Sequence, residues 1–497
     1  MAEKYLNFIN GKWVEPRTGE YIENKNPADS SDLIGLFPKS SREDVDMAVN
    51  SAFEAYKNWR LVPAPKRALY LHKIGDILTR RKEDIARMMT REMGKILMET
   101  RGDVQEGIDT AYYTAGEGRR LFGQTVPSEL PNKFAMSVRM PVGVCGMITP
   151  WNFPIAIPTW KLFPALISGN TCVIKPATLT PASLYLLMEV FEEAQLPPGI
   201  VNMVCGSGGE VGDAIVINTK VNRISFTGST EVGRHLAERC GALLKPVSLE
   251  MGGKNAEIIM EDADLDLAVD GALWGAFGTT GQRCTATSRL IVHKDVHNEV
   301  MKMLVEKVRG LKVGNGLDES VQMGPCVSEE QRETVMKYVE IGKSEGAKIV
   351  CGGNPLTTGE YAKGYFMEPT IFDDVQPNMR ISQEEIFGPV LSVITIGSFD
   401  EAIQVLNNTM YGLSSSIYTR DVNRAFRAIR DIQAGITYIN VPTIGAEIQL
   451  PFGGIKGTGI GHRESGTAVY DFYTEWKSVY VDYSGKLQKA QIDTFNE

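Results

Sequence analysis

The chain has 497 residues, of which 43% are hydrophobic and 23% charged, and its formal net charge is −9. This length predicts two or more domains, and the ordinary composition excludes a disordered, collagen-like or fibrous protein. An acidic chain without a basic block is a poor candidate for binding nucleic acid or an anionic membrane. We therefore expect a soluble globular protein with neither kind of partner.

The sequence lacks several patterns that would indicate secretion, a membrane span, disulfide bonds or a metal site. No basic segment followed by an apolar run begins the chain, so no signal peptide is predicted. The most apolar stretch, 154–174, is interrupted by Pro158, Lys161 and Pro164, which argues against a membrane span. The seven cysteines are widely spaced without a C-x-x-C pair, which favours a reduced, cytoplasmic setting. The five histidines lack ligand spacing, so no metal is expected.

Hydrophobic periodicity predicts the elements along the chain. Apolar residues recur at near-helical spacing between Pro65 and Gly94, so this early region should be helical. Strands are predicted at 143–148, 170–175, 200–205, 223–227 and 247–250, with intervening helices at 159–167, 181–194, 210–218 and 231–240. This alternation indicates parallel βαβ units with helices on both faces of a sheet. Ligands of such sheets bind beyond the carboxyl ends of the strands, where we expect the chemistry.

A second α/β region is predicted further along the chain. Its strands are predicted at 290–292 and 348–351, and its helices at 296–309 and 329–344. Two other segments, 137–140 and 476–483, alternate apolar and polar residues, which is the pattern of a half-buried strand. Neither suits a doubly wound sheet, so they could pair with each other or across a subunit boundary.

Three segments contain residues that could carry chemistry. Cys284 lies in a polar, glycine-rich segment where an exposed thiol could act as a nucleophile, and Arg283 could favour its thiolate. Glu250 ends a predicted strand before two glycines, which let a backbone come close to a ligand. Asn152 offers an amide donor in a turn between aromatics and prolines. Each could instead be structural, as a core cysteine, a surface carboxylate and a turn residue.

Together these segments resemble the aldehyde dehydrogenase superfamily nearly end to end. The matching motifs, in order, are PWNFP at 150–154, GNTCVIKPA at 169–177, FTGST at 226–230, LEMGGKN at 249–255, GQRC at 281–284, EEIFGPV at 384–390 and PFGGIKGTG at 451–459. The resemblance implies a doubly wound cofactor domain, a second α/β catalytic domain and a small β oligomerisation extension. These are assigned to 1–118 with 142–252, to 253–466, and to 119–141 with 467–490. A homodimer or homotetramer that oxidises an aldehyde to a carboxylic acid follows by the same resemblance.

The resemblance also assigns roles to the three segments. Cys284 matches the nucleophile that forms a thioester, and the Asn152 amide with the Cys284 N–H matches the oxyanion hole. Glu250 matches the base that activates the hydrolytic water. The positions that match the substrate tunnel, or else serve as core aromatics, are Phe153, Trp160 and Phe452. Arg283 could hold a substrate carboxylate or brace its own loop.

The implied cofactor is NADP or NAD. Lys175 matches the lysine that binds the adenosine ribose, and Gly228 with Ser229 opens a helix whose N–H groups can meet a pyrophosphate. The other positions matched to the cofactor site are Ile148, Trp151, Gly208, Phe226, Gly233, Glu385 and Phe387. No G-x-G-x-x-G fingerprint occurs. Thr178 stands where NAD-preferring relatives often carry an acid, so NADP should work at least as well as NAD.

Two alternative functions stay open. One is an acylating dehydrogenase that passes its thioester to coenzyme A, but such relatives commonly lack the base, and Glu250 is present. The other is a non-enzymatic structural member of the superfamily, against which the retained Cys284, Asn152 and Lys175 argue. The segments GQRCTATSR and GTGIGHRESG look like semialdehyde dehydrogenases of bacteria and archaea, those acting on 2-oxoglutarate semialdehyde among them. Simple aliphatic aldehydes are the alternative substrates.

Overall fold

A computed structural model of the protein describes residues 2–492. Its strands are β1 (Asn7–Ile9), β2 (Lys12–Val14), β3 (Tyr21–Asn26), β4 (Asp29–Pro38), β5 (Gln124–Val126), β6 (Lys133–Pro141), β7 (Val144–Ile148), β8 (Thr171–Lys175), β9 (Val201–Met203), β10 (Val221–Thr227), β11 (Val247–Glu250), β12 (Ala256–Ile259), β13 (Arg289–His293), β14 (Lys348–Cys351), β15 (Pro355–Leu356), β16 (Phe366–Met367), β17 (Thr370–Asp373), β18 (Val390–Ile396), β19 (Ser414–Tyr418), β20 (Ile436–Ile439), β21 (Gly459–Ile460) and β22 (Thr474–Asp482). Its α-helices are α1 (Arg42–Trp59), α2 (Ala64–Met93), α3 (Leu97–Glu117), α4 (Ala156–Ser168), α5 (Pro181–Glu193), α6 (Asp213–Ile217), α7 (Thr230–Ala242), α8 (Leu265–Phe277), α9 (His297–Arg309), α10 (Glu329–Ser344), α11 (Arg380–Gln383), α12 (Phe399–Asn407), α13 (Val422–Asp431) and α14 (Tyr470–Tyr473).

The first large sheet has the strand order β2-β1-β9-β8-β7-β10-β11-β21. Its five middle strands, β9 to β11 in that order, are parallel. Helices α2, α4 and α5 form a buried core on one face, and α1, α6 and α7 form another on the opposite face. The predicted doubly wound sheet is therefore confirmed. Ile148, Lys175, Thr227 and Glu250 stand at the carboxyl ends of its strands.

The second large sheet has the order β14-β17-β18-β13-β12-β19-β20, and only its edge strand β14 is antiparallel among the residues described. Helices α8 and α9 cover one face, while α10, α12 and α13 cover the other. The predicted second α/β unit is present, and α10 has the predicted bounds. Its helix α8 is followed by a short 3-10 turn, Gly278–Gly281, which leads to Cys284.

The two alternating segments pair with each other within the chain. Strand β22 runs antiparallel to β6 from Thr474 opposite Pro141 to Asp482 opposite Lys133, and β5 completes a three-stranded sheet. Most side chains of β22 are exposed. In residues 2–492, no helix combines the length and the hydropathy needed to cross a membrane.

Two details differ from the expected elements. The helix predicted at 210–218 consists of a π-helical turn, Gly208–Gly212, followed by α6. The glycines at its start have a low helix propensity, and π turns of this kind occur frequently at functional sites. Strand β21 belongs to the range assigned to the catalytic domain, yet it pairs with β11 of the first sheet. The chain therefore returns to the first sheet beside Glu250.

Candidate active site

Two cavities meet at Cys284. We call them the tunnel cavity, of about 110 Å³, and the cleft cavity, of about 210 Å³. Cys284, Thr227 and Met251 line both. Two molecules that entered from opposite sides would therefore meet at the thiol.

The tunnel cavity is mainly apolar and contains every predicted substrate residue. Its lining consists of Glu106, Phe153, Ala156, Ile157, Trp160, Thr227, Glu250, Met251, Arg283, Cys284, Thr285, Leu413, Gly445, Ala446, Phe452 and Glu464. The rings of Trp160 and Phe452 pack with centroids 4.8 Å apart. Such a wall suits the carbon chain of an aldehyde, and it keeps bulk water from the thiol.

The cleft cavity collects residues predicted to hold the cofactor. Its lining consists of Pro150, Trp151, Asn152, Thr227, Gly228, Ser229, Met251, Gly252, Cys284, Gln331, Glu385 and Phe387. The rings of Trp151 and Phe387 meet edge to face at 5.2 Å. Glu385 Oε1 accepts the Gly253 N–H at 3.0 Å, and a side chain at Gly252 would overlap this carboxylate. A glycine at 252 is therefore required for Glu385 to reach the cleft.

A strained loop holds the nucleophile. Between α8 and Cys284, both Thr279 and Thr280 adopt left-handed backbone conformations, with φ of 53° and 58°. The Glu99 carboxylate accepts the Thr279 N–H at 2.6 Å, and the Thr280 hydroxyl donates to the Gly324 carbonyl at 2.9 Å. Such backbone strain persists only where surrounding contacts fix it. The position of Cys284 is thus set by its neighbours and not by the loop alone.

Arg283 braces the loop that precedes Cys284. Its Nη2 pairs with Glu99 at 3.2 Å, and its Nε donates to the Thr279 hydroxyl at 2.7 Å. The guanidinium also lies 5.4 Å from the Phe153 ring centroid and 5.2 Å from that of Trp274. It therefore braces the loop while it lines the tunnel cavity.

Asn152 and Cys284 both line the cleft cavity. Asn152 is buried, and its Nδ2 donates to the Gln282 carbonyl at 3.2 Å. Burial and the carboxylates of Glu385 and Glu250 raise the pKa of the Cys284 thiol to about 12, against the opposing effect of nearby backbone N–H groups. The free thiol is consequently protonated at neutral pH.

Glu250 belongs to a buried polar cluster that was not predicted. Burial, followed by repulsion from Glu464, raises the pKa of Glu250 well above its usual range. Lys161 binds Glu464 at 2.6 Å and donates to the Ser225 hydroxyl at 2.8 Å. Lys161 is the one charged residue of the fully buried helix α4, and a buried lysine needs a partner. That lysine was the signal in the sequence from which the cluster could have been found.

The remaining predicted cofactor residues lie further along the first sheet. Lys175 is buried, its Nζ donates to the Pro176 carbonyl at 2.7 Å, and burial lowers its pKa to about 8. Thr178 is exposed, and its hydroxyl donates to the Gly206 carbonyl at 3.2 Å, beside the turn that begins at Gly208. Ser229 caps the start of α7, and its hydroxyl accepts the Val232 N–H at 3.3 Å.

Two predicted cofactor residues, Ile148 and Phe226, have side chains that pack in the core. Ile148 and Phe226 are buried in the core beneath α6 and α7, and neither lines the cleft cavity. The Phe226 ring lies directly under Gly228, where an added side chain would strike it. Gly233 faces Met251 in the same way. These positions shape the floor of the cleft. The large side chains and the two glycines together set how closely α7 approaches the sheet.

The chain matches known proteins over almost its whole length. The model of the aldehyde dehydrogenase family matches residues 13–479. The chain is 44% identical to the alpha-ketoglutaric semialdehyde dehydrogenase of Bacillus subtilis, over 96% of this chain and 98% of the relative. It is 42% identical to the 2,5-dioxopentanoate dehydrogenase of Saccharolobus solfataricus, over 94% and 98% of the two chains. The NAD+ complex of an aldehyde dehydrogenase from Bacillus cereus has a TM-score of 0.94, with 37% identity over 97% of both chains.

The cleft fits the dinucleotide that this family uses. Its walls combine the rings of Trp151 and Phe387, the carboxylate of Glu385 and the start of α7 at Ser229. Aromatic rings can pack against a nicotinamide, and a carboxylate can accept hydrogen bonds from ribose hydroxyls. The N-terminus of a helix can bind a pyrophosphate. The cofactor is NAD or NADP. The chain belongs to the aldehyde dehydrogenase family, as an NAD(P)-dependent enzyme that oxidises aldehydes.

Proposed function

We propose that the enzyme converts its aldehyde to a carboxylic acid through a thioester on Cys284. The observation that carries this proposal is the meeting of the tunnel and cleft cavities at the thiol. The Cys284 thiol loses its proton to solvent, and the thiolate Sγ then attacks the aldehyde carbon that arrives through the tunnel cavity. When bound, NAD(P) supplies the hydride acceptor that the oxidation needs.

The Asn152 amide and the Cys284 N–H are the proposed donors to the oxygen of the tetrahedral adduct. Asn152 is held in a buried turn by its contact with the Gln282 carbonyl. A preorganised donor of this type contributes roughly 3–4 kcal/mol to transition-state stabilisation in comparable sites. We therefore expect the Asn152 amide to stabilise the transition state and not only the turn in which it lies.

Glu250 is the proposed base for hydrolysis of the thioester. It lines the tunnel cavity, and its Oε2 is buried without a hydrogen-bond partner in residues 2–492. Such an unoccupied acceptor suits a water molecule poised for attack. Because its pKa is raised, Glu250 must lose a proton before it can act as the base.

The proposed substrate is a semialdehyde that carries a carboxylate at its far end. The two relatives described above are named for alpha-ketoglutaric semialdehyde and 2,5-dioxopentanoate. In this chain Arg283 lines the tunnel cavity and offers a guanidinium to such a carboxylate. A neutral aliphatic aldehyde has the same reacting group but lacks this interaction.

We also propose that NADP serves at least as well as NAD, that the enzyme is a homodimer or homotetramer, and that it works in the cytoplasm. Exposed Thr178 supports the first, because no carboxylate at that position opposes a 2′-phosphate. The seven free cysteines support the last. The retained Glu250 favours hydrolysis over transfer to coenzyme A.

A substrate panel tests the proposed function. We would measure kcat/KM with NADP for 2-oxoglutarate semialdehyde, succinic semialdehyde and hexanal, and identify the product with and without coenzyme A. The proposal requires a free acid as product and a preference for the semialdehydes. An acyl-coenzyme A product, or no reduction of the cofactor with any aldehyde, would contradict it.

A further inference from the structure

Three carboxyl groups lie on one face of helix α3, and one of them lines the tunnel cavity. Glu99, Asp103 and Glu106 follow each other at helical spacing, so their side chains lie on the same side of the helix. Glu99 pairs with Arg283 at 3.2 Å, and Asp103 pairs with the fully buried Lys95 at 2.6 Å. Glu106 lines the tunnel cavity. Its carboxyl has no hydrogen-bond or ion-pair partner in the part of the chain that the structure describes.

The charges around Glu106 balance without it. The two positive groups, Lys95 and Arg283, already face the two negative groups, Asp103 and Glu99. An ionised Glu106 would add an uncompensated negative charge to a mainly apolar wall. Burial and then repulsion from Asp103 raise the pKa of Glu106 to about 8, although Lys95 and Arg283 oppose the shift.

The other titratable groups near Glu106 are mainly acidic. Asp109 lies one turn further along α3, and Tyr438 approaches from β20. Glu250 and Glu464 line the same cavity. Arg283 is therefore the single cation on the cavity wall among the residues described, and Glu106 is an acid on that same wall.

We propose that Glu106 is a specificity-determining residue, which is protonated when an anionic semialdehyde occupies the tunnel and which disfavours such substrates once it ionises. The inference rests on the proposed function, since it concerns the far end of the same substrate. As a neutral acid, Glu106 donates a hydrogen bond to the distal carboxylate beside the Arg283 guanidinium. As a carboxylate, it repels the substrate and competes for Arg283.

The test compares two substrates across pH. We would measure kcat/KM for succinic semialdehyde and for hexanal from about pH 6.5 to about pH 9.5, a range that spans the titration of a raised carboxyl pKa. Titration of Cys284 and Glu250 affects both substrates, so it cancels in the ratio of the two values. We expect this ratio to fall roughly three- to tenfold with rising pH, the size of the repulsion between two charges about 4 Å apart at the dielectric constant of water. In Glu106→Gln, whose side chain is always neutral, the ratio should stay flat.

Matched variants separate this role from a general effect of charge or folding. Asp109→Asn removes a charge from the same helix outside the tunnel cavity, so it should keep the wild-type fall. Glu106→Asp retains an acid, so some fall should persist. Inhibition of hexanal oxidation by glutarate, a dicarboxylate that cannot react, gives a measurement on the wild-type enzyme alone. Its inhibition constant should rise with pH by a similar factor.

Three outcomes would overturn the inference. The first is a ratio that does not change with pH in the wild type, and the second is an unchanged fall in Glu106→Gln. The third is a greater loss of betaine aldehyde oxidation than of hexanal oxidation in Glu106→Gln, because Glu106 would then be an anionic anchor for cationic substrates. Absence of cofactor reduction with every aldehyde in the wild type would contradict the proposed function instead.

Discussion

Cys284 is the one cysteine within residues 2–492 that lies where both cavities meet. We predict that Cys284→Ser lowers kcat/KM for aldehyde oxidation at least about 1000-fold, as loss of a nucleophile does in other covalent enzymes. Serine keeps the shape but lacks a readily ionised nucleophile. Cofactor binding, measured by titration calorimetry, should survive. Activity within a few-fold of the wild type would remove Cys284 from the mechanism.

Thr178 gives a second prediction at the residue scale. A 2′-phosphate carries nearly two negative charges, and a carboxylate a few ångströms away would cost on the order of 1–4 kcal/mol. Thr178→Glu should therefore lower the NADP-to-NAD ratio of kcat/KM by roughly fivefold to several hundredfold. Steady-state kinetics with both cofactors measure this ratio. A ratio that does not fall would show that other residues set the selectivity.

The sequence predicted individual residues unevenly. The motif residues with reactive or charged side chains, such as Cys284 and Glu385, do line the cavities. Phe226 belongs to the motif FTGST and Ile148 precedes the motif PWNFP, but both side chains are buried. A motif alone does not state which way a strand residue points. Glu106 lies in no motif, and helix α3 brings it to the tunnel through packing between distant segments.

At the scale of elements, the loop before Cys284 depends on its contact with α3. Glu99 accepts the Thr279 N–H and pairs with Arg283, and its side chain is only 3% exposed. We predict that Glu99→Ala lowers the free energy of unfolding by about 3–5 kcal/mol, the usual cost of breaking a buried pair. The same variant should slow alkylation of Cys284 by iodoacetamide, because the thiol is no longer held at the junction of the cavities.

Glu319 provides the matched control for Glu99. It also pairs with an arginine, Arg101 at 2.9 Å, but its side chain is 68% exposed. Exposed pairs contribute about 0–1 kcal/mol, so Glu319→Ala should change stability little and alkylation not at all. Urea unfolding and the alkylation rate give both values. Equal effects of the two substitutions would contradict the positioning role of Glu99.

Elements with a strong period were predictable, and elements shaped by tertiary contacts were not. Helix α10 has its predicted bounds because its apolar residues recur at helical spacing and Ser328 caps its start. The turn at 208–212 was predicted only as part of a helix, since periodicity does not distinguish a π turn from an α-helix. The left-handed backbone at Thr279 and Thr280 had no signal at all, because threonine rarely adopts it without outside contacts.

At the scale of the whole molecule, the small sheet exposes apolar side chains on both faces. Val481 and Phe134 form a cross-strand pair and are 47% and 46% exposed, and Tyr480 on the opposite face is 67% exposed. A surface of this kind usually marks a protein interface. We predict that light scattering of the full chain gives a dimer or tetramer, and that the double variant Phe134→Glu with Val481→Glu gives smaller species.

A control for this prediction uses another exposed apolar residue. Leu69 is 58% exposed on α2, away from the small sheet, so Leu69→Glu should leave the oligomer intact. A monomeric wild type, or dissociation by Leu69→Glu alone, would contradict the assignment of the small sheet to assembly. The pairing of β6 with β22 was one of two arrangements open from the sequence, because alternation predicts a strand but not its partner.

The most direct test of the central claim is the mass of Glu250→Gln after mixing with an aldehyde and NADP. Without the base, the thioester should form but hydrolyse slowly, so reduced cofactor should appear in a burst of about one equivalent per site. Acid-quenched intact mass should then increase by the acyl group, located by digestion on the peptide that contains Cys284. Full steady-state turnover without a burst, or an enzyme whose mass does not change, would contradict a thioester on Cys284 that Glu250 hydrolyses.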